Sequence, residues 1–71
     1  MKKEKLNMAL HTPIKLVLNG NDEIYTGYLA KDLYNPRRYC ILPIDVSQSV
    51  IVFPASYVKK YTYLNNDFTV E

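Results

Sequence analysis

The stretch Ser49-Val50-Ile51-Val52-Phe53-Pro54-Ala55-Ser56-Tyr57-Val58-Lys59-Lys60-Tyr61-Thr62-Tyr63-Leu64 decides the fold. Val50 to Phe53 are apolar and mostly β-branched, so Ser49–Phe53 reads as a strand buried on both sides or nearly so. Pro54-Ala55-Ser56-Tyr57 has room for a single helical turn. From Lys59 to Leu64 the residues alternate, Tyr61 and Tyr63 against Lys60, Thr62 and Leu64, which is the period of another strand.

The same period runs through the chain before it. Ile14, Leu16 and Leu18 point one way, with Lys15, Val17 and Asn19 opposite. Asn19-Gly20-Asn21-Asp22 is a turn, because Asn and Gly tolerate positive φ. Glu23 to Lys31 is a second strand, in which Ile24, Thr26 and Tyr28 alternate with Tyr25, Gly27 and Leu29; Gly27 predicts a bulge or sharp bend. Asp32 to Pro36 is a loop. Arg37 to Ile44 is a third strand, with Tyr39 and Ile41 on one face and Cys40 and Leu42 on the other. Pro43 would interrupt a central strand, so this end is expected at an edge. Asp45-Val46-Ser47-Gln48 is the next turn. At the start, Leu6 and Leu10 predict a short helix over about residues 3–11, closed by Pro13. Two turns of helix do not persist alone in water, so it must lie on the sheet. The polar tail, residues 65–71, contains Phe68 and Val70 and is expected either to be disordered or to add a strand to a neighbour.

The predicted order is thus a helix, four strands, one turn and a fifth strand, in a single domain spanning 1–71. Five strands in about 50 residues have too many edges for an open sheet, and closure removes them. The expected fold class is mainly all-β: a small five-stranded barrel over about 13–64, with an N-terminal helix and a helical turn before the last strand.

Composition narrows the function. The 71 residues are 48% hydrophobic and 23% charged, ordinary for a globular domain and unlike a disordered one. The one cysteine, Cys40, excludes an internal disulfide, and with the one histidine, His11, it falls short of the roughly four ligands of a zinc site. This usage predicts a cytoplasmic setting. No apolar run approaches the roughly 18 residues of a membrane span. The opening MKKEKLNMAL is interrupted by Asn7 and is too short in apolar length for a signal peptide. Nine Lys and Arg against seven Asp and Glu give a net charge of +2, which permits nucleic-acid binding without demanding it.

Catalytic chemistry finds no support. His11 precedes Pro13 at the helix exit with no nearby nucleophile. Cys40 lies among apolar strand residues, the setting of a buried inert thiol. Asp32 and Asp45 sit in turns, where Asp is favoured for backbone hydrogen bonds alone. The two glycines, seven apart, make no phosphate loop. No catalytic residue, metal ligand or cofactor is expected.

Binding candidates remain. Seven tyrosines and no tryptophan suit strands, interfaces and stacking platforms alike. Tyr28, Tyr39 and Tyr61 are expected in or half in the core. Tyr34, Asn35, Arg37 and Arg38 form the best small constellation, since an aromatic ring, an amide and planar guanidinium groups suit an unstacked base and its phosphate. Lys31, Lys59 and Lys60 are the further basic candidates for a nucleic-acid or partner surface. Alternation sends neighbouring strand residues to opposite faces, so Arg37-Arg38 or Lys59-Lys60 forms one patch only in a turn.

Two families are resembled. Thr12-Pro13-Ile14-Lys15-Leu16-Val17-Leu18-Asn19-Gly20, Gly27-Tyr28-Leu29, Asp32, Val46-Ser47-Gln48 and Val50-Ile51-Val52-Phe53 with Ala55 resemble the helix exit and strands of Sm-like, Hfq-like barrels, over roughly residues 6–63. Asp32 stands nearer to Gly27 than that family places it. Asn21-Asp22 lengthens the first hairpin, and Phe53-Pro54 stands where its RNA-binding Lys-His pair would be. Phe53-Pro54-Ala55-Ser56-Tyr57-Val58 is similar to the motif that closes the peptide groove of Src-homology-3 domains, although their ligand-gripping tryptophan is absent. The Sm-like resemblance implies a non-enzymatic RNA-binding barrel. Its ring oligomer would pair strand four (Val50, Val52) with strand five (Tyr61, Tyr63) of the next copy. The alternative is a small protein-binding regulator or inhibitor from a bacterial or phage mobile element.

Overall fold

In the computed structural model, residues 1–20, 22–45 and 47–71 are described; Asn21 and Val46, each within a predicted turn, lie outside the described residues. The chain forms helix α1 (Lys3–Asn7), strands β1 (Pro13–Leu18), β2 (Ile24–Lys31), β3 (Arg38–Pro43) and β4 (Ile51–Pro54), a 3-10 turn (Ala55–Tyr57), and strands β5 (Val58–Tyr63) and β6 (Thr69–Val70). The strands make one antiparallel sheet in the order β4-β3-β2-β1-β5-β6. The fold is therefore mainly β with the predicted helical turn before β5. The expected five-stranded closed barrel is corrected to an open sheet of six strands, with β4 and β6 at its edges.

The sixth strand comes from the tail. Asp67 takes φ 59, the Asn66 side chain accepts from the Phe68 N–H at 3.0 Å, and Tyr63 N–H donates to Phe68 O at 2.9 Å. Asn and Asp support such a reversal because they tolerate the left-handed region and bond locally to the backbone. The hairpin lays Thr69 against Thr62 and Val70 against Tyr61. The tail thus adds a strand to its own sheet.

The core lies on one face of this sheet. Ile14 and Leu16 of β1, Leu29 of β2, Tyr39 and Ile41 of β3, Phe53 of β4, and Val58 and Tyr61 of β5 are buried together with Leu6 and Ala9. Helix α1 is shorter than expected and stops at Asn7. Its continuation pairs with β2 instead: Leu10 bridges Leu29, His11 N–H donates to Leu29 O at 2.6 Å, and Leu29 N–H donates to Thr12 O at 3.2 Å. His11 takes φ 64 to make that exit. Two core hydroxyls pin the helix. Tyr39 donates to Asn7 Oδ1 at 2.6 Å and Tyr61 to the Lys5 carbonyl at 2.7 Å. Burial raises both phenol pKa values, helped by Glu4 at Tyr39 and by Tyr63 at Tyr61. These contacts are what hold a helix too short to persist alone.

Three local expectations change. Gly27 makes no bulge; it pairs with Ile14 and Pro43 where β2 and β3 pass so close that a Cβ would overlap the Leu42 carbonyl. The ladder irregularity falls between Val17 and Leu18 against β5. Ser49–Phe53 is not buried on both sides: Phe53 is in the core, but Val50 and Val52 on the outer face are 54% and 47% exposed. Tyr28, expected in or half in the core, lies on the outer face and is 47% exposed, whereas Tyr39 and Tyr61 are fully buried. Pro43 ends β3 beyond Ile41↔Ile51, where the β3–β4 ladder begins, so its missing N–H interrupts no pairing with β4. Among the described residues no helix is long and apolar enough to cross a membrane.

Candidate functional site

The loop between β2 and β3 is built by its own short polar side chains. Asp32 Oδ1 accepts from the Tyr34 N–H at 3.4 Å, and Asn35 Oδ1 accepts from the Arg37 N–H at 3.0 Å. Arg38 N–H donates to Asn35 O at 2.9 Å, and Asp32 N–H to Arg38 O at 3.0 Å. These bonds satisfy the backbone locally, as Asx turns do. They leave Leu33 and Tyr34 projecting into solvent, 94% and 96% exposed.

The predicted constellation is brought together in part. Lys31, Tyr34, Arg37 and Arg38 are all exposed within this one hairpin, and none of the three cations has an ion-pair partner among the described residues. Asn35 differs: its amide oxygen is committed to the turn. Lys59 and Lys60 lie elsewhere, on β5, with β1 between them and β2. Lys59 pairs with Asp22 at 3.2 Å, and Lys60 is half-buried opposite Val17. That ion pair is exposed on both sides and contributes little to stability.

The four residues expected at an oligomer interface separate into two environments. Val50 and Val52 are open to solvent at the β4 edge. Tyr61 is buried and Tyr63 half-buried, and their rings meet edge to face with centroids 5.4 Å apart. Strand β6 also occupies the edge of β5 at Tyr61 and Thr62.

The outer face of β2, β3 and β4 is the feature that the sequence reading missed. Register places Tyr28 beside Leu42, and Ala30 beside Cys40 beside Val52. Tyr28, Leu42, Val50 and Val52 are each about half exposed, between 45% and 54%. Leu33 and Tyr34 rise at one end and wall a groove of about 270 Å³ over Ala30, Cys40, Leu42, Val50 and Val52. Its lining is almost wholly apolar, with Lys31 and Asp32 at the loop end; Arg38, outside the lining, is two residues before Cys40 on β3.

No family model matches this chain, and neither a curated protein nor a solved structure does. The site is therefore read from its own chemistry. Cys40 lies almost buried in the groove floor, its Sγ 3.9 Å from the Lys31 carbonyl. Burial first, and Asp32 second, push its thiol up, which keeps it protonated and a poor nucleophile near neutrality. Among the described residues no group of three or more His, Cys, Asp or Glu could hold a metal. The arrangement offers apolar area, one exposed ring and three cations with no ion-pair partner among the described residues, which are the materials of binding. A signal for it was present. Tyr28, Ala30, Cys40, Leu42, Val50 and Val52 all fall on the face opposite Leu29, Tyr39, Ile41 and Phe53, so both faces of three neighbouring strands are apolar.

Proposed function

We propose that this chain is a non-enzymatic protein-binding module, related to the Sm-like and Src-homology-3 small barrels, that docks a protein partner on the outer face of β2–β4. One observation carries the reading: half-exposed Tyr28, Leu42, Val50 and Val52 run on, by register, into a groove walled by Leu33 and Tyr34. An antiparallel sheet with one solvated face ordinarily carries polar residues there. A contiguous apolar patch rimmed by charge marks an interaction surface, and exposed tyrosine beside arginine is the composition of interface anchors. The barrel relationship is supported by the meander β1 to β4, the return of β5 to β1, and the single 3-10 turn between β4 and β5.

A second reading, RNA binding, is favoured by one observation. Tyr34 is 96% exposed in the same hairpin as unpaired Lys31, Arg37 and Arg38. It ranks lower because Asn35 is spent on the turn and the groove beside the ring is apolar.

Photo-crosslinkers placed singly at Tyr34, Leu42 and Lys15, in cells that produce the protein, test the two readings together with anisotropy of a labelled single-stranded RNA at low salt. Protein docking predicts one shared protein adduct from positions 34 and 42 and none from 15. Salt-sensitive RNA binding that Tyr34→Ala and Arg38→Ala weaken, without a protein adduct, transfers the assignment to RNA. Adducts from position 15 as readily as from 42 overturn the docking face.

A further inference from the structure

The two edges of the sheet are managed differently. The β6 edge is two residues long, with Asp67 and Glu71 beside it, and Lys5 Nζ donates to the Glu71 carbonyl at 2.6 Å. Short length and charge are the ordinary ways of blunting an edge. The β4 edge has no charge along it and, among the described residues, no strand beyond it. From residue 46 to residue 54 there is no charged side chain, and β4 pairs only with β3. Pro54 ends the strand, and Val52 with Val50 just before it, alternating with the ladder residues Ile51 and Phe53, turn their backbone groups to the free edge.

We propose that the β4 edges of two copies pair antiparallel across a two-fold axis, making a homodimer with one continuous sheet. Three features favour a second copy as the occupant. The edge carries no charge of its own, so self-pairing meets no repulsion along the strand. The charges that flank it differ in sign at its two ends: Arg38 lies opposite Pro54, and Asp45 stands in the turn before β4. A two-fold axis sets each copy's positive end against the other's negative end, whereas parallel pairing would set like against like. Antiparallel pairing also brings Val50 and Val52 of one copy beside Val52 and Val50 of the other on the outer face, as cross-strand apolar neighbours. The inference goes beyond the docking reading and does not need it, because a dimer through β4 leaves Tyr28 and Leu42 open in both copies.

Light scattering on a sizing column, over a dilution series, tests the dimer. The expected mass is about 17 kDa, twice the 8.3 kDa of one chain, falling toward 8.3 kDa on dilution. Val50→Lys with Val52→Lys places like charges across the axis and should raise the dissociation midpoint about tenfold or more. Val50→Glu with Val52→Glu should do the same alone. Mixing the lysine and glutamate forms should restore a dimer, which shows that each still folds. If the lysine form does not fold, Val50→Pro removes one N–H outside the β3–β4 ladder and reads the same equilibrium. A mass of 8.3 kDa at every concentration overturns the proposal, as does a dimer indifferent to these changes. A mass of six or more chains overturns it in favour of a ring.

Discussion

Lys15 on β1, Thr26 on β2, Lys60 and Thr62 on β5 and Thr69 on β6 make one half of the sheet's outer face mainly polar, with Val17 and Ile24 as its apolar pair, and the hydroxyls of Thr62 and Thr69 lie 2.8 Å apart. Tyr28, Leu42, Val50 and Val52 cover the other half with apolar ones. Both halves have the same backbone, the same antiparallel pairing and the same buried core behind them. Folding explains the first half, since a face left to water is served by Lys and Thr. It does not explain the second, since exposed valine, leucine and tyrosine add nothing to a core they do not touch. The seam between the halves runs through β2, between Thr26 and Tyr28, at Gly27. That difference is the ground for both proposals, a partner on the apolar face and a second copy at its edge.

The largest effect is expected at the seam. Gly27→Ala drives a methyl into the Leu42 carbonyl and the Ile41 side chain, 2.8 Å away at Cγ2, and must force β2 from β3. The expected cost is about 3 kcal/mol, measured by denaturant unfolding. An unchanged midpoint would show that the strands do not meet as closely as described.

Next is the support behind the polar half. Tyr61→Phe removes the hydroxyl that donates to the Lys5 carbonyl and should cost about 1–2 kcal/mol, with loss of amide protection in α1. The same buried phenols set the alkaline limit. Tyr39 and Tyr61 both have folded pKa values above the usual 10.0. Below pH 10 both are protonated whether the chain is folded or not, so stability is at its full value. Above it, the unfolded chain loses these protons first, and stability falls as pH rises toward the folded values. In Tyr61→Phe that alkaline fall should be shallower, and an identical slope would remove Tyr61 as a cause.

The smallest effect on stability belongs to the apolar half. Leu33→Ser with Tyr34→Ser changes two side chains that touch almost nothing and should shift stability by no more than about 0.5 kcal/mol. It should nonetheless abolish the protein adduct formed through position 42. Lys15→Leu on the polar half should leave both unchanged. A large loss of stability in the serine variant would mean that the apolar half serves the fold after all.

Much of the fold was legible in the chain because alternation is a local property. Leu16 against Lys15 states which side of β1 is buried before any partner strand is known. Asn19-Gly20 and Pro54–Tyr57 mark their turns through backbone preference alone. The errors came where two apolar faces competed. Tyr28 was expected in or half in the core with Tyr39 and Tyr61, and Ser49–Phe53 was expected buried on both sides or nearly so, because hydrophobicity records what a residue favours and not whether a second layer exists to cover it. The tail was ambiguous for a related reason. Thr69 and Val70 can extend any free edge, and the turn at Asn66-Asp67 that returns them to β5 competes with solvent and with neighbours on equal local terms. Of the candidate site, the exposed ring of Tyr34 and the cations of Lys31, Arg37 and Arg38 were visible as a loop cluster. The role of Asn35 in the turn, the separation of Lys59 and Lys60, and the groove floor at Ala30 and Cys40 were not.

By itself, then, the sequence determined the β class, the positions of β1 to β5 to within about two residues, and the single helical turn before β5, since each follows from side-chain period or turn chemistry along a few neighbouring positions. Only the tertiary structure decided that the sheet stays open, that β6 closes over Tyr61 and Thr62 while β4 stays bare, and that Tyr28, Leu42, Val50 and Val52 meet on one uncovered face. Those outcomes depend on contacts between residues far apart in the chain, where loop closure and packing choose among arrangements that local preference leaves equal.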